Sequence, residues 1–258
     1  MNRVLTVARN AFREAVRDRV LYNLVFFALL MIASAVVVGQ ISMDIETVVM
    51  ISLGLSAISL IGLLIAVFTG VGLVSKEIDK RTLHAVLAKP LRRWEFLIGK
   101  FAGLAATLAV NTAAMAAGLF LALWMVKHSV VRSDAVVLLA VYFILLKLML
   151  VVALAMLFSC FTSPLLAILF TGGLYVAGLF VAELRSLQVT TLSQQTQRFF
   201  AVISYILPNF SNYDVMGAAA HGRAIAGTLV LHNTLYTALY CAMVLAAAAM
   251  IFSRKDLK

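Results

Sequence analysis

Residues 48–74 read VVMISLGLSAISLIGLLIAVFTGVGLV, a run with no charged side chain. As a helix rising about 1.5 Å per residue it covers about 40 Å, more than the roughly 30 Å of a bilayer's hydrocarbon core. Lipid offers no partner for a backbone N–H or C=O, so a segment this apolar that enters a membrane must close its hydrogen bonds internally, as a helix. Working outward, similar runs occupy residues 22–39, 101–126, 135–161, 164–182 and 229–252. Among these six runs Lys147, in the fourth, is the charged residue. The chain of 258 residues is 64% hydrophobic and 12% charged, against about 45–50% and about 25% in soluble domains. Soluble and disordered classes are thereby excluded. An all-α membrane protein with six transmembrane helices is expected. Cys160 and Cys241 both fall in apolar stretches and read as small buried hydrophobes, not a disulfide framework or metal ligands.

Orientation follows from where the basic residues fall. Arg3, Arg9, Arg13, Arg17 and Arg19 precede the first span. Lys76, Lys80, Arg81, Lys89, Arg92, Arg93 and Lys100 lie between the second and third, and Arg254, Lys255 and Lys258 follow the last. With six alternating spans these fifteen share one side, and Lys127, Arg132, Arg185, Arg198 and Arg223 share the other. Both termini are therefore expected in the cytoplasm. The net charge of +10 is read as a topology signal and an attraction to anionic membrane lipids, not as a nucleic-acid footprint. Ala33-Ser34-Ala35 has the small-residue pattern of a signal cleavage site. It lies inside the first apolar run behind a long basic segment, so that run is read as a retained span.

The domain division expected is 1–21, a cytoplasmic amphipathic interfacial helix, followed by 22–258, the six-span domain. Leu5, Ala8, Phe12, Ala15 and Val16 share one face of the first segment, with Thr6, Asn10, Arg13 and Arg17 opposite. Such a helix either anchors in the interface plane or acts as an elbow that moves the first span. Gly62, Ala66 and Gly70, and likewise Ala114 and Gly118, place small residues where helix backbones approach closely, within one subunit or between two. The outer segment 183–228 contains Phe199–Leu207, FFAVISYIL, followed by Pro208. That apolar stretch is too short to cross, so short outer re-entrant helices before the last span are expected, or a surface cap on the bundle.

The loop 75–100 carries the functional signal. Leu83, Val86 and Leu87 make an apolar i, i+3, i+4 patch flanked by charge. Pro90 ends any helix there. Arg92, Arg93, Trp94 and Lys100 suit a head-group crossing into the third span. The patch either receives a protein partner or lies on the membrane.

With Glu77, Lys80, Arg81-Thr82, Leu83 with Leu87, Lys89-Pro90, Arg92-Arg93, Phe96 and Gly99-Lys100, this loop resembles that of ABC-2 type permeases, the membrane subunits of ATP-binding-cassette exporters. The amphipathic N-terminus, six spans, Leu207-Pro208-Asn209-Phe210 and the basic tail from Phe252 to Leu257 fit the same layout. The resemblance implies that Glu77, Lys80, Arg81, Thr82, Leu83, Leu87 and Pro90 couple to a separate ABC ATPase subunit. ATP and Mg would be bound by that partner and no cofactor by this chain. It also implies a homodimer or a pairing with a second permease. The chain holds no G-x-x-x-x-G-K-[ST], since Gly99-Lys100 is followed by Phe101, so it is read as a transport subunit and not an enzyme.

Lys147 either snorkels outward, finds an internal polar partner or faces the substrate pathway, for which Asn111 is the other candidate. Asn111 would otherwise simply hydrogen-bond a neighbouring helix. His84, His128, His221 and His232 lack metal-ligand spacing. Two other functions share this layout: an ATP-independent carrier or channel, and a membrane anchor or regulatory subunit that transports nothing.

Overall fold

The computed structural model describes residues 2–41, 45–79, 93–127, 134–181 and 207–254, and every regular element among them is helical. In chain order these are α1 (Asn2–Val16), α2 (Arg19–Ile41), α3 (Glu46–Asp79), α4 (Arg93–Lys127), α5 (Asp134–Ser159) and α6 (Pro164–Leu179). A single 3-10 turn (Ser211–Tyr213), a five-residue helix α7 (Met216–Ala220) and the long α8 (Gly227–Arg254) follow.

Four helices have stretches long and apolar enough to cross a membrane: Glu46–Gly72, Trp94–Lys127, Ala135–Ser159 and Gly227–Ser253. Two shorter apolar stretches, Leu24–Gly39 in α2 and Pro164–Leu179, accompany them. The outer faces are lined with large apolar side chains, among them Phe26, Leu121, Leu169, Leu239 and Met243. An aqueous surface would not carry such a coat, whereas hydrocarbon requires it. Trp94 and Trp124 are exposed at the two ends of α4. Thirty residues apart, they stand about 45 Å from one another along a helix, the span of a bilayer with its head groups.

Several limits differ from those expected. The helix α3 continues past its apolar stretch to Asp79, and α4 begins at Arg93, well before residue 101. Residues 75–79 and 93–100 therefore extend two long helices, and 80–92 lie outside the described residues. Charged residues outside hydrocarbon do not by themselves stop a helix. Pro164 opens α6 as expected, with Ser163 extended ahead of it (φ −70, ψ 157). At 16 residues α6 is about 24 Å long, and its end is completed from elsewhere. The Phe210 N–H donates to the Gly178 carbonyl at 3.1 Å, satisfying one of the carbonyls a helix end leaves open.

The centre of the bundle is α5. Leu148, Val151, Val152, Ala153, Ala155 and Met156 are all fully buried, enclosed by α3, α4, α6, α8 and the outer segment. Small residues let α3 lie close to it. A Cβ on Gly62 would meet Leu148 at 2.6 Å, and one on Gly70 would meet the Ala155 Cβ at 2.9 Å. The small-residue face of α3 thus packs within this chain. Gly118 likewise faces Leu29 of α2, while Ala114 is exposed.

The amphipathic α1 docks on α4. Its buried side chains are Ala11 and Ala15, with Val7 and Ala8 partly covered. Leu5, expected on the same apolar face, is 70% exposed. The buried line is set by Gly99 and Gly103 of α4, where a backbone can come close. A Cβ at Gly103 would lie 2.5 Å from the Ala8 carbonyl oxygen and 2.7 Å from the Ala11 Cβ. Lys100, between these glycines, ion-pairs with Glu14 at 3.4 Å and lies over the Phe96 ring. Phe96 in turn stacks on Phe252 of α8.

Gly103→Ala is expected to lower the thermal midpoint of the purified protein, at a cost of about 1–3 kcal/mol from overpacking against a backbone that cannot yield. Gly72→Ala, where a Cβ meets nothing within 4 Å, is the matched control and should show no loss in the same thermal melt.

Candidate functional site

Lys147 lies near the midpoint of α5, not close to the outer end of its helix as snorkelling requires. Its side chain is buried. The ammonium donates to Ser59 Oγ at 2.7 Å and stands 5.9 Å from the centre of the Tyr175 ring. Of the alternatives read from sequence, the internal polar partner is the one observed. A charge at the centre of a membrane helix costs about 2.5–3.5 kcal/mol on insertion scales. One neutral hydroxyl and one ring face offset only part of that.

Three other elements bring groups to this charge. From the middle of α3, Ser59 Oγ accepts a hydrogen bond from the ammonium. From α6 comes Tyr175. From the outer segment comes Asp214, two residues before Met216, whose sulfur lies 3.9 Å from Ser56 Oγ one turn from Ser59. Asp214 is exposed, and its Oδ1 accepts the Met216 N–H at 3.3 Å. No carboxylate comes within 4 Å of Lys147 among the described residues.

The outer segment reaches this depth because its neighbouring residues are anchored. Phe210 is fully buried and packs on Tyr175 with ring centres 5.0 Å apart. The Asn209 N–H donates to the Tyr236 hydroxyl, and Asn233 Nδ2 donates to the Asn212 carbonyl. The Tyr213 hydroxyl pairs with Thr237 Oγ1 at 2.7 Å, and Thr237 itself donates to the Asn233 carbonyl. The Tyr213 ring lies edge-on to Phe143 of α5. After α7 the chain turns at Gly222, the glycine with positive φ (63°). There the N–H groups of Gly222 and Arg223 cap the carbonyls of Ala219 and Ala218, a Schellman ending that needs a residue free to be left-handed.

Asn111 is also buried, but no hydrogen bond joins it to the Lys147 cluster. Among the described residues its Nδ2 has no partner, and neither does Thr112 Oγ1 beside it. The two pathway candidates read from sequence are therefore separate features. Ser59, Tyr175 and Asp214 were missed. Ser52, Ser56 and Ser59 at i, i+4 and i+7 place three hydroxyls on one face of an otherwise greasy helix, a signal that could have found Ser59. Tyr175 and Asp214 carry no comparable mark.

Of the residues assigned to ATPase coupling, Lys80, Arg81, Thr82, Leu83, Leu87 and Pro90 lie outside the described residues, as do 183–206 of the outer segment. Glu77 lies in the last turns of α3, its side chain not among those described. Gly99 and Lys100 are helix-packing residues on α1.

Long apolar helices, a lipid-compatible coat and an enclosed polar centre define a multi-pass membrane protein. The chain belongs to the ABC-2 transporter family: the family model described as "ABC-2 family transporter protein" matches residues 5–257, essentially its whole length. Members of that family are membrane subunits of transporters. A comparison with the curated proteins finds no match.

Burial pushes the Tyr213 phenol above its ordinary value of 10.0. The folded protein thus holds this proton where the unfolded chain begins to release it, and stability must fall as the pH rises above about 10. Tyr213→Phe is expected to flatten that alkaline decline in thermal melts. At neutral pH it should cost about 1 kcal/mol for the lost hydrogen bond.

Proposed function

We propose that this chain is the permease subunit of an ABC-2 type exporter, forming the membrane route for a substrate moved by ATP hydrolysed on a separate ATPase. The match to the family over residues 5–257 carries the reading. Six spans, α2, α3, α4, α5, α6 and α8, cross the bacterial inner membrane with both termini in the cytoplasm. The fifteen-to-five division of basic residues supports this orientation.

The ATPase docks on the loop between α3 and α4. Leu83 and Leu87 seat in its groove, while Glu77, Lys80, Arg81, Thr82 and Pro90 set register and shape. ATP and Mg are held by that partner. Motion of the loop passes to α3 and α4 directly, since both helices extend beyond the apolar zone toward it. It passes to α2 through α1, which is clamped to the first turns of α4 by Gly99, Gly103 and the Lys100–Glu14 pair. The elbow role of α1 is favoured by that clamp, and its exposed Leu5 suits the lipid interface. Two six-span chains, identical or paired with a second permease, enclose the route. Lys147 lies on it, and Asn111 is the weaker second candidate.

The test is recovery of a nucleotide-binding protein with the tagged chain from native membranes. The double variant L83D/L87D should lose at least ten-fold of that recovery, about 1.4 kcal/mol or more of binding, with the permease itself still inserted. Equal recovery with both chains, or no nucleotide-binding protein with either, would contradict the reading.

A further inference from the structure

We infer that Lys147, with Ser59 and Tyr175, is the recognition point for an anionic group, a carboxylate or a phosphate, on the transported substrate, and that Asp214 is the resident counter-charge with which that group competes. The inference rests on the permease reading above and adds the substrate's chemical class. It begins with an imbalance. An ammonium has three donors and no acceptor, yet among the described residues Lys147 makes one hydrogen bond, to a neutral hydroxyl, and borders one aromatic ring. Among the described residues the positive charge is enclosed at the centre of the bundle without a contact carboxylate. Membrane proteins keep such charges where an ion or substrate passes.

The same elements carry a line of hydroxyls toward this charge. Ser52, Ser56 and Ser59 share one face of α3, running from half-buried through exposed to buried. Ser56 Oγ lies 3.9 Å from the Met216 sulfur of α7, so this hydroxyl track starts beside the outer segment and ends on the Lys147 ammonium. Asp214 stands at the same place. It is exposed and tethered to the Met216 N–H. It makes no ion pair with Lys147 within 4 Å, but its segment packs on the hydroxyl face of α3 that leads to the ammonium. A substrate anion in contact with Lys147 gains the direct charge-assisted bond that Asp214 lacks. Asp214 raises the threshold for entry, so that poorly matched anions are refused. Removing its charge must therefore strengthen anion binding. A site built for a cation or a zwitterion would respond in the opposite sense.

The test uses the full chain in nanodiscs of phosphatidylcholine, without ATPase. Its thermal midpoint is followed by intrinsic fluorescence as inorganic phosphate or acetate replaces chloride at constant ionic strength. A second arm replaces part of the phosphatidylcholine by phosphatidylglycerol, so that a lipid head group is distinguished from a soluble anion. The wild-type midpoint should rise saturably in at least one arm. Lys147→Met should abolish the rise and Lys147→Arg keep it. Asp214→Asn should lower the half-saturating amount by about ten-fold, within the usual range for coupled charges. Should Lys147→Met not fold, the arginine and Asp214→Asn responses still decide. The idea is overturned if no arm shifts the wild type, if Lys147→Met responds as the wild type does, or if Asp214→Asn weakens the response. Loss of ATPase recovery in the earlier experiment would leave this readout unaffected, so the two failures are separable.

Discussion

A lysine in the middle of a membrane helix has to be enclosed by protein, and much of this fold follows from how that is done. The Lys147 ammonium reaches Ser59 on α3 at 2.7 Å. The bond holds only if α5 is surrounded, because hydrocarbon gives the charge no other refuge. The helix bearing the charge is accordingly the central one, with α3 drawn close along Gly62 and Gly70 and the remaining helices turning apolar coats outward. The outer segment completes the enclosure. It lends Phe210 to Tyr175, Tyr213 to Thr237 and a distant carboxylate from Asp214. A side chain that would destabilise a simple bundle is thus held among α3, α6 and the outer segment.

The other end of the molecule is organised by the docking of helices on α4. Two helices longer than the hydrocarbon, α3 and α4, bracket residues 80–92. A third, α1, is fixed to the first turns of α4 by backbone proximity, an ion pair and, through Phe96, a ring stack on α8. A push on the bracketed loop would be shared among α3, α4 and α2. Rigid docking of this kind suits transmission of force better than a helix merely floating in the interface. The polar centre and the docked elbow are joined by α3, which carries Ser59 at its middle and ends beside the loop.

Much of this was legible in the sequence because lipid simplifies the code. Apolar runs marked the long helices, Pro164 marked the start of α6, and the spacing of small residues marked the face of α3 that another helix approaches closely. The family resemblance read from loop residues agrees with the match across residues 5–257. What could not be read was depth and partnership. For Lys147 the sequence leaves outward snorkelling open, whereas the structure buries its ammonium against Ser59. The apolar stripe of α1 was placed through Leu5, but Gly99 and Gly103 on another helix decided which residues are covered. Asp214 and Tyr175 were invisible for a related reason. Their roles depend on a segment that returns to the bundle by long-range contacts, and no local period records those. Asn111 remains a buried amide whose Nδ2 nothing in the structure explains.

The proposed orientation underlies both the coupling to an ATPase and the outer route to Lys147, and labelling tests it directly. Cysteines are placed one at a time as K89C and R223C in a background lacking Cys160 and Cys241. Intact cells are then treated with a membrane-impermeant maleimide before and after opening. R223C labelled in intact cells, with K89C labelled only after opening, is the expected result. K89C labelled from outside, or both positions labelled from the same side, would contradict it.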